Sequence, residues 1–167
     1  MNAAERLAGG IDVFIDLVGR ITSWLALGIA LVMGANVLLR YAFSYGFIWA
    51  QELEWHIFVP ICLFGMSYAL LHGEHVRVDV VFQYFTPRNK ELVEVISAVI
   101  SMAFSVIVIW LSIPYVWQSW SIGEGTANPG GLDYRYIVKS FIPIGFALLF
   151  LQSLSQAIKS YFAMRRA

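Results

Sequence analysis

Residues 92–114 read LVEVISAVISMAFSVIVIWLSIP, and this stretch decides what kind of protein the chain is. Glu94 is its single charged residue. The stretch is longer than the roughly 20 apolar residues that an α-helix needs to cross a hydrocarbon core of about 30 Å. Three further stretches meet the same requirement, so the sequence predicts an all-α integral membrane fold with four transmembrane helices. The predicted spans cover residues 21–39, 48–71, 92–114 and 137–158.

The composition supports a membrane location. Of the 167 residues, 59% are hydrophobic and 13% are charged, whereas soluble domains carry about 25% charged residues. The net charge is zero, and lysine and arginine occur singly or in pairs, so no basic surface for nucleic acid is expected. The lone cysteine, Cys62, lies within the second span and is interpreted as a small buried hydrophobic residue.

The N-terminal segment predicts an amphipathic helix ahead of the first span. Between residues 3 and 20 the apolar side chains recur at helical spacing, with Asp12 and Asp16 among the remaining positions. These acidic residues are atypical of a signal peptide, so no cleavage is expected. The pattern favours a helix that lies at the membrane interface.

The distribution of basic residues predicts the orientation. Short loops rich in lysine and arginine stay in the cytoplasm. The N-terminus, the loop 73–90 and the C-terminal tail carry eight such residues, while the opposite side carries Arg40, Arg135 and Lys139. Both termini and the loop 73–90 are therefore expected to be cytoplasmic, and the loop 115–136 periplasmic.

A charged cluster stands where the first span ends and the second begins. Arg40 closes the first span, and Glu52, Glu54 and His56 follow a short connection. Glu52 and His56 share a helix face, and Glu54 is rotated from Glu52 by about 200°. We expect one glutamate to pair with Arg40. The cluster would then be a clamp between helices. In the alternative interpretation one carboxylate is an ion or proton site, but such a site should lie deeper in the membrane. The clamp is the favoured interpretation.

A second cluster follows the second span at residues 72–79, where histidines and both signs of charge are interleaved. Hydrogen bonds that fix a turn into a short surface helix within the loop 73–90 explain it best. A metal site would need a diagnostic spacing that the cluster lacks, so no metal is expected. The candidate structural residues here are His75, Arg77 and Asp79.

Small and polar side chains mark faces for helix packing. Ser97, Ser101 and Ser105 recur at every fourth position and predict close approach of another helix. Gln152 and Gln156 share a face of the fourth span, and their amides need partners in this chain or in another subunit.

The loop 115–136 contains four glycines and Pro129 and is flanked by Trp and Tyr residues that suit a membrane interface. It is longer than a tight connection requires. Two interpretations stay open: a docking surface and a flexible polar turn.

Several short segments stand in a characteristic order. They are NVLLRY at 36–41, the acidic start of span two around Glu52, GMSYA at 65–69, GEHVRVD at 73–79, FIPIGF at 141–146 and Leu151-Gln152. With these segments, the chain resembles the small membrane subunit, the Q component, of tripartite ATP-independent periplasmic (TRAP) transporters. The resemblance covers nearly the whole chain, although the family typically has two adjacent glutamates where this chain has Gln51 and Glu52.

The resemblance implies a non-enzymatic scaffold in the bacterial inner membrane. Its implied partners are a large membrane subunit, which holds the substrate and sodium sites, a periplasmic substrate-binding protein and membrane phospholipids. This chain would carry no cofactor and no substrate site of its own, and the transported solutes would be organic acids such as dicarboxylates, 2-oxo acids or sugar acids. The large subunit would transport by an elevator-like displacement while this chain braces its fixed part.

The residues agree with a scaffold because the sequence has no P-loop, no paired midplane carboxylates and no broken helices. Two other classes of membrane protein are the alternatives. A haem-bearing membrane anchor of a redox enzyme needs imidazoles on facing helices, whereas His56 and His72 share span two. A small self-sufficient proton-coupled exporter needs an intramembrane carboxylate, whereas Glu52 and Glu54 lie near a membrane edge.

Overall fold

The computed structural model describes residues 3–74 and 85–166, and these residues form four long helices without a strand. We call them α1 (Ala3–Phe43), α2 (Ile48–His72), α3 (Pro87–Ser121) and α4 (Arg135–Arg166). Each is long and apolar enough to cross a membrane. The predicted all-α membrane fold is therefore confirmed.

The N-terminal amphipathic segment and the first span form one continuous helix. With 41 residues, α1 has a length of about 60 Å, roughly twice the hydrocarbon thickness. No proline interrupts it, and Gly19 is buried against the Tyr68 ring, where a Cβ would lie 1.9 Å from Cδ2. A helix of this length has to tilt or to extend beyond the hydrocarbon core.

The helices pack through faces that repeat every seven residues. The buried positions of α1 include Ala8, Ile15, Thr22 and Asn36, which are separated by multiples of seven. This period is that of left-handed helix bundles. α4 lies at the centre, where it packs against α1, α2 and α3, and α1 packs along α2 as an antiparallel pair.

The buried face of α3 also repeats every seven residues. It differs from the expected face, which was formed by Ser97, Ser101 and Ser105 at four-residue spacing. Its buried positions are Ala98, Ser105, Ser112 and Ser119, whereas Ser97 is exposed. Ser101 lies at the contact and accepts a hydrogen bond from the Ser153 hydroxyl at 2.9 Å. Positions spaced by seven drift by only about 20° around a helix, while positions spaced by four drift by 40°. The seven-residue pattern therefore stays in contact over a longer distance.

Two glycines end α2 and α3 in the same way. Gly73 and Gly123 adopt positive φ, at 73° and 58°, and the next residue donates its backbone N–H to the helix: Glu74 to the Ala69 carbonyl and Glu124 to that of Ser119. This is the Schellman motif. It fixes the direction in which the chain leaves α3 and so positions Glu124.

Much of the apolar surface is left uncovered within the chain. Leu17, Trp24, Leu31 and Leu38 of α1 are 56%, 72%, 65% and 70% exposed. They lie on the side of α1 opposite to its buried face and are also seven residues apart. Cys62 is exposed as well, so its interpretation as a buried residue was wrong for this chain by itself. Lipid or another protein has to cover these faces.

Candidate functional site

Glu52 is the centre of a polar cluster that joins α2 to the segment between α3 and α4. Its side chain is 2% exposed. The Thr126 hydroxyl and the Asn128 amide, the latter at 2.9 Å, donate to Oε1, and the Leu132 backbone N–H donates to Oε2 at 2.6 Å. We call these four residues the Glu52 cluster. All three donors come from the α3–α4 loop, residues 122–134, so the carboxylate fixes that loop on the first turns of α2.

The α3–α4 loop is ordered by its own hydrogen bonds as well. Thr126 Oγ1 accepts the backbone N–H of Asn128 at 3.2 Å, and the Gly131 N–H donates to the Asn128 carbonyl at 3.1 Å. Gly131 lies so close to the carboxylate that a Cβ there would be 2.5 Å from Glu52 Oε2. The sequence shows a Gly- and Pro-rich loop, but its folded path depends on a carboxylate more than 70 residues away.

An ion pair closes the base of this loop. Lys139 of α4 donates to the Glu124 carboxylate, and the Arg135 N–H donates to the Glu124 carbonyl at 3.2 Å. The hydrogen bond from Lys139 lowers the pKa of the Glu124 carboxyl group, since it favours the charged form. Both ends of the loop are thereby held to one another.

The expected pairing of Arg40 with a glutamate was wrong. Glu52 is saturated by loop donors, and Glu54 faces Asn36 of α1, whose amide lies 3.4 Å from Oε1. Arg40 is exposed and lies over the Tyr41 ring, 5.5 Å from its centroid. The physical reason is that the packing of α3 and α4 places three loop donors on the Glu52 carboxylate, and these donors satisfy it in place of the arginine.

His56 lies one turn after Glu52 and bonds to its backbone. Nδ1 lies 2.6 Å from the Glu52 carbonyl oxygen, an acceptor, so Nδ1 carries the proton. Nε2 is buried and has no hydrogen-bond partner in the described part of the chain. The sequence indicated the shared face of Glu52 and His56; the orphaned nitrogen could not be foreseen.

At the opposite end of the bundle a second carboxylate joins α1 to α4. Asp12 accepts hydrogen bonds from Gln152 at 3.2 Å, from Ser155 at 2.7 Å and from Lys159 at 2.9 Å. We call these four residues the Asp12 cluster. It gives the amide nitrogen of Gln152 the partner that it was expected to need, whereas the buried amide oxygen has none in the described part of the chain. Sequence reasoning missed Asp12 as a site residue, because no local pattern connects it with residues about 140 positions later.

The other glutamine of this face turns toward α3. The Gln156 amide lies 3.4 Å from Glu94 Oε2. Both glutamines are thus used inside the four-helix bundle. Nearby, Asp16 of α1 contacts Arg20 at 2.8 Å and His72 of α2 at 3.4 Å. The N-terminal part of α1 is therefore bonded to both α2 and α4 and does not lie isolated on the surface of the bundle.

The remaining candidates, His75, Arg77 and Asp79, and most of the loop 73–90 lie outside the described residues. Within the described part of the chain, no three His, Cys, Asp or Glu side chains are grouped so that they could hold a metal. The polar side chains named above join helices and loops to one another. Their arrangement suits a structural role.

Comparison with known proteins shows the family of the chain. The family model of the DctQ component of tripartite ATP-independent periplasmic transporters matches residues 29–162. The chain belongs to this family. It is thus a small permease subunit of a TRAP transporter and a multi-pass protein of the inner membrane. The match begins within α1 and includes both Glu52 and the loop that binds it.

Two relatives show how far the likeness extends. The small permease protein of the ectoine TRAP transporter of Halomonas elongata is 24% identical over 157 residues, which cover 92% of this chain and 79% of that protein. The small permease protein of the C4-dicarboxylate TRAP transporter of Vibrio cholerae is 28% identical over 148 residues, which cover 74% of this chain and 63% of that protein. Both relatives are named as transporter subunits.

Proposed function

We propose that this TRAP subunit is a scaffold that braces the large membrane subunit during sodium-coupled uptake of organic acids. The observation that carries the proposal is the two-sided character of α1. One face of this helix packs on α2 and α4, while the face formed by Leu17, Trp24, Leu31 and Leu38 has no partner among residues 3–74 and 85–166. Apolar knobs at seven-residue spacing suit a second helix as well as lipid.

The polar interior supports the same role. The carboxylates of Glu52 and Asp12 are bonded to groups of this chain, and both clusters join segments that are far apart in sequence. A transport site would instead need polar groups that are free to bind a solute near the middle of the membrane. Bracing requires a rigid bundle, and these bonds provide rigidity.

Photo-crosslinking tests the proposed contact. A photoreactive amino acid at Leu31, placed in the chain with its native partners, is expected to capture a much larger polytopic membrane protein. The same variant expressed without other subunits serves as the control and should yield lipid adducts alone. Capture of a second copy of this chain instead of a larger protein would overturn the scaffold proposal.

Affinity purification provides an independent test. The chain, tagged at its C-terminus and extracted from its native membrane in mild detergent, should bring down a large membrane subunit in equal amount. Purification of a homodimer or of the chain alone would contradict a heteromeric complex.

The α3–α4 loop is proposed to help receive the periplasmic substrate-binding protein. Its support is the order of the loop: the Glu52 cluster and the Glu124–Lys139 pair hold it in one conformation, which lowers the entropy cost of docking. Replacing residues 123–131 by a short neutral linker should slow uptake while the membrane subunits stay together. Uptake at the unaltered rate would exclude a docking role.

The solute is proposed to be an organic acid, as for the C4-dicarboxylate transporter of one relative; the other relative is named for ectoine. Reconstituted complex with its binding protein should accumulate the solute when sodium is high outside, and a potassium gradient of equal size is the control. Liposomes that contain this chain alone should accumulate none. Uptake by the chain alone would revive an autonomous exporter-like mechanism.

The proposed orientation places both termini in the cytoplasm and the α3–α4 loop in the periplasm. It rests on the distribution of basic residues. Single cysteines introduced at the exposed positions Ser121 and Tyr161 in a Cys62→Ser background test it. A membrane-impermeant thiol reagent applied to intact cells should label the first position and not the second; the reverse pattern would invert the topology.

A further inference from the structure

Arg135 occupies a position that local effects disfavour. It is the first residue of α4, where the positive end of the helix dipole repels a cation. Tyr134, the residue before it, has a φ of 66°, a left-handed conformation that is unfavourable for residues other than glycine. This turn brings the Arg135 N–H to the Glu124 carbonyl oxygen at 3.2 Å. Tertiary interactions therefore have to explain why a cation lies here.

Two carboxylates supply those interactions. The guanidinium group of Arg135 acts electrostatically on Glu52 of α2 and on Glu124 of the α3–α4 loop, without a direct ion pair to either. Glu124 also has Lys139 as a direct partner. The three hydrogen-bond donors of Glu52, in contrast, are all neutral. Within the described part of the chain, Arg135 is thus the cation that acts on the Glu52 charge.

The Trp55 ring orients the Arg135 side chain. The central carbon of the guanidinium group lies 5.6 Å from the centroid of this ring, which is within the range of a cation–π interaction. Trp55 follows Glu52 by three residues, so the two side chains are neighbours on the surface of α2. The ring therefore holds the guanidinium group near the Glu52 carboxylate, and the charge is placed there before any partner protein arrives.

We propose that Arg135 is a positioning residue for transport: its positive charge holds the Glu52 carboxylate and the Glu124 end of the α3–α4 loop in the arrangement that the substrate-binding protein meets. This inference rests on the proposed docking role of the loop. It concerns the charge, because any substitution except proline keeps the backbone N–H. Without that charge Glu52, which is 2% exposed, keeps neutral donors alone, and a buried carboxylate without a cation is costly. The loop then has a less stable anchor.

Uptake by the reconstituted complex, measured against the concentration of its native binding protein, tests the proposal. In Arg135→Gln the concentration at half-maximal uptake should rise about two- to fivefold, as loss of a partly screened charge interaction implies, while the maximal rate is retained. Arg135→Lys keeps the charge and should lie close to the wild type. Arg135→Met keeps an apolar stem on Trp55 and should behave as Arg135→Gln does. A shift in Arg135→Lys as large as that in Arg135→Met would overturn the proposal.

Arg40→Gln is the matched control for general effects of charge. Arg40 lies on the same proposed side of the membrane and also stacks on an aromatic ring, that of Tyr41. Its removal should leave the dependence on binding protein as in the wild type. An equal shift in Arg40→Gln and Arg135→Gln would show a general electrostatic effect and overturn the specific role of Arg135.

Limited proteolysis of the purified complex separates this inference from the docking role of the loop. The loop should be cleaved faster in Arg135→Gln than in the wild type, and at about the wild-type rate in Arg135→Lys. Cleavage of Arg135→Gln at the wild-type rate would overturn the role of Arg135, even where replacement of residues 123–131 slows uptake. Faster cleavage with an unchanged dependence on binding protein would support Arg135 as the residue that holds the loop and contradict docking instead.

A second variant covers the case in which Arg135→Gln does not assemble, which copurification of the large membrane subunit reports. Trp55→Leu removes the ring under the guanidinium group and keeps every charge. It should shift both measurements in the same direction as Arg135→Gln, by a smaller factor. An assembled Trp55→Leu complex with wild-type cleavage and wild-type dependence on binding protein would overturn the proposal.

Discussion

The two ends of the bundle are each held by a carboxylate, and the two carboxylates are held differently. Glu52 is nearly inaccessible and accepts hydrogen bonds from three neutral donors of one loop. Asp12 is partly exposed and accepts from two neutral donors and from Lys159, whose side chain is 40% exposed. The first cluster fixes a loop on a helix; the second joins two helices that also pack through apolar contacts.

This difference determines how much stability should be lost when each cluster is mutated. A buried acceptor leaves its donors unsatisfied when it is removed, whereas an exposed ion pair is screened by water and salt. The loop also has little apolar packing to hold it once its hydrogen bonds are lost, while α1 keeps its seven-residue face on α4. Changes in the Glu52 cluster are therefore expected to have larger effects than changes in the Asp12 cluster.

The largest effect is expected from Glu52→Ala. It removes the common acceptor of the Thr126, Asn128 and Leu132 donors and should release the loop. Cleavage of the loop by a protease that is added from its own side should accelerate by roughly 30-fold or more, as loss of more than one buried hydrogen bond implies. Glu52→Gln keeps one carbonyl oxygen, so its rate of loop cleavage should lie between those of the wild type and Glu52→Ala. Glu54→Ala is the control. If Glu52→Ala resisted the protease as well as the wild type does, the proposed ranking of the two clusters would be contradicted.

Gly131→Ala should release the loop to a smaller degree. The added methyl group would meet Glu52 and Thr126 at less than 3 Å, and overpacking of this kind costs about 1–3 kcal/mol. The same protease assay measures it. Gly46→Ala, where a Cβ would have its nearest contact at 3.9 Å, is the matched control.

A double variant sharpens this prediction. If the strain of Gly131→Ala arises at the carboxylate, its effect should shrink in a Glu52→Ala background, so that the two changes are not additive. Additive effects would show that the strain lies elsewhere in the loop.

Asp12→Asn should have a modest effect at the other end. It keeps the shape and one acceptor but removes the charge opposite Lys159, so a loss of roughly 0.5–1 kcal/mol is expected. Thermal unfolding in detergent measures it, and the difference from wild type should diminish as salt is raised. Asp16→Asn is the control for a surface ion pair. If Asp12→Asn lost more stability than Glu52→Ala in the same unfolding measurement, the proposed ranking of the two clusters would be reversed.

The smallest effect concerns pH. The pKa of Glu124 is lowered in the folded chain by Lys139. The contribution of this carboxylate to the stability of the folded loop is therefore present above the pKa of the carboxyl group in the unfolded chain, about 4.3. It is lost as the pH falls through the lower pKa of the folded chain. Glu124→Gln should make the loop more sensitive to protease at pH 7 and should differ less from wild type near pH 3, measured with an acid-tolerant protease. A difference that does not change with pH would indicate that Lys139 does not hold this carboxylate.

The sequence by itself determined the four helices and their membrane character. Twenty or more apolar residues in a row can satisfy their backbone hydrogen bonds in lipid only as a helix, so stretches such as 92–114 leave little choice. The segments around Asn36–Tyr41, Gly65–Ala69 and Phe141–Phe146 also sufficed to identify the family. The continuity of α1 was missed because a change from amphipathic to apolar composition does not require a break in the helix.

The tertiary structure alone decided the partners of the charged residues. Arg40 is only 12 positions before Glu52, and proximity in sequence favoured that pair, yet the carboxylate is bonded by donors from residues 126–132. Asp12 and Lys159 are further apart still. Local patterns fix which face a side chain occupies, but which donor reaches it depends on how helices pack and where loops cross. That information is distributed over the whole chain, because it arises from the summed packing of all four helices.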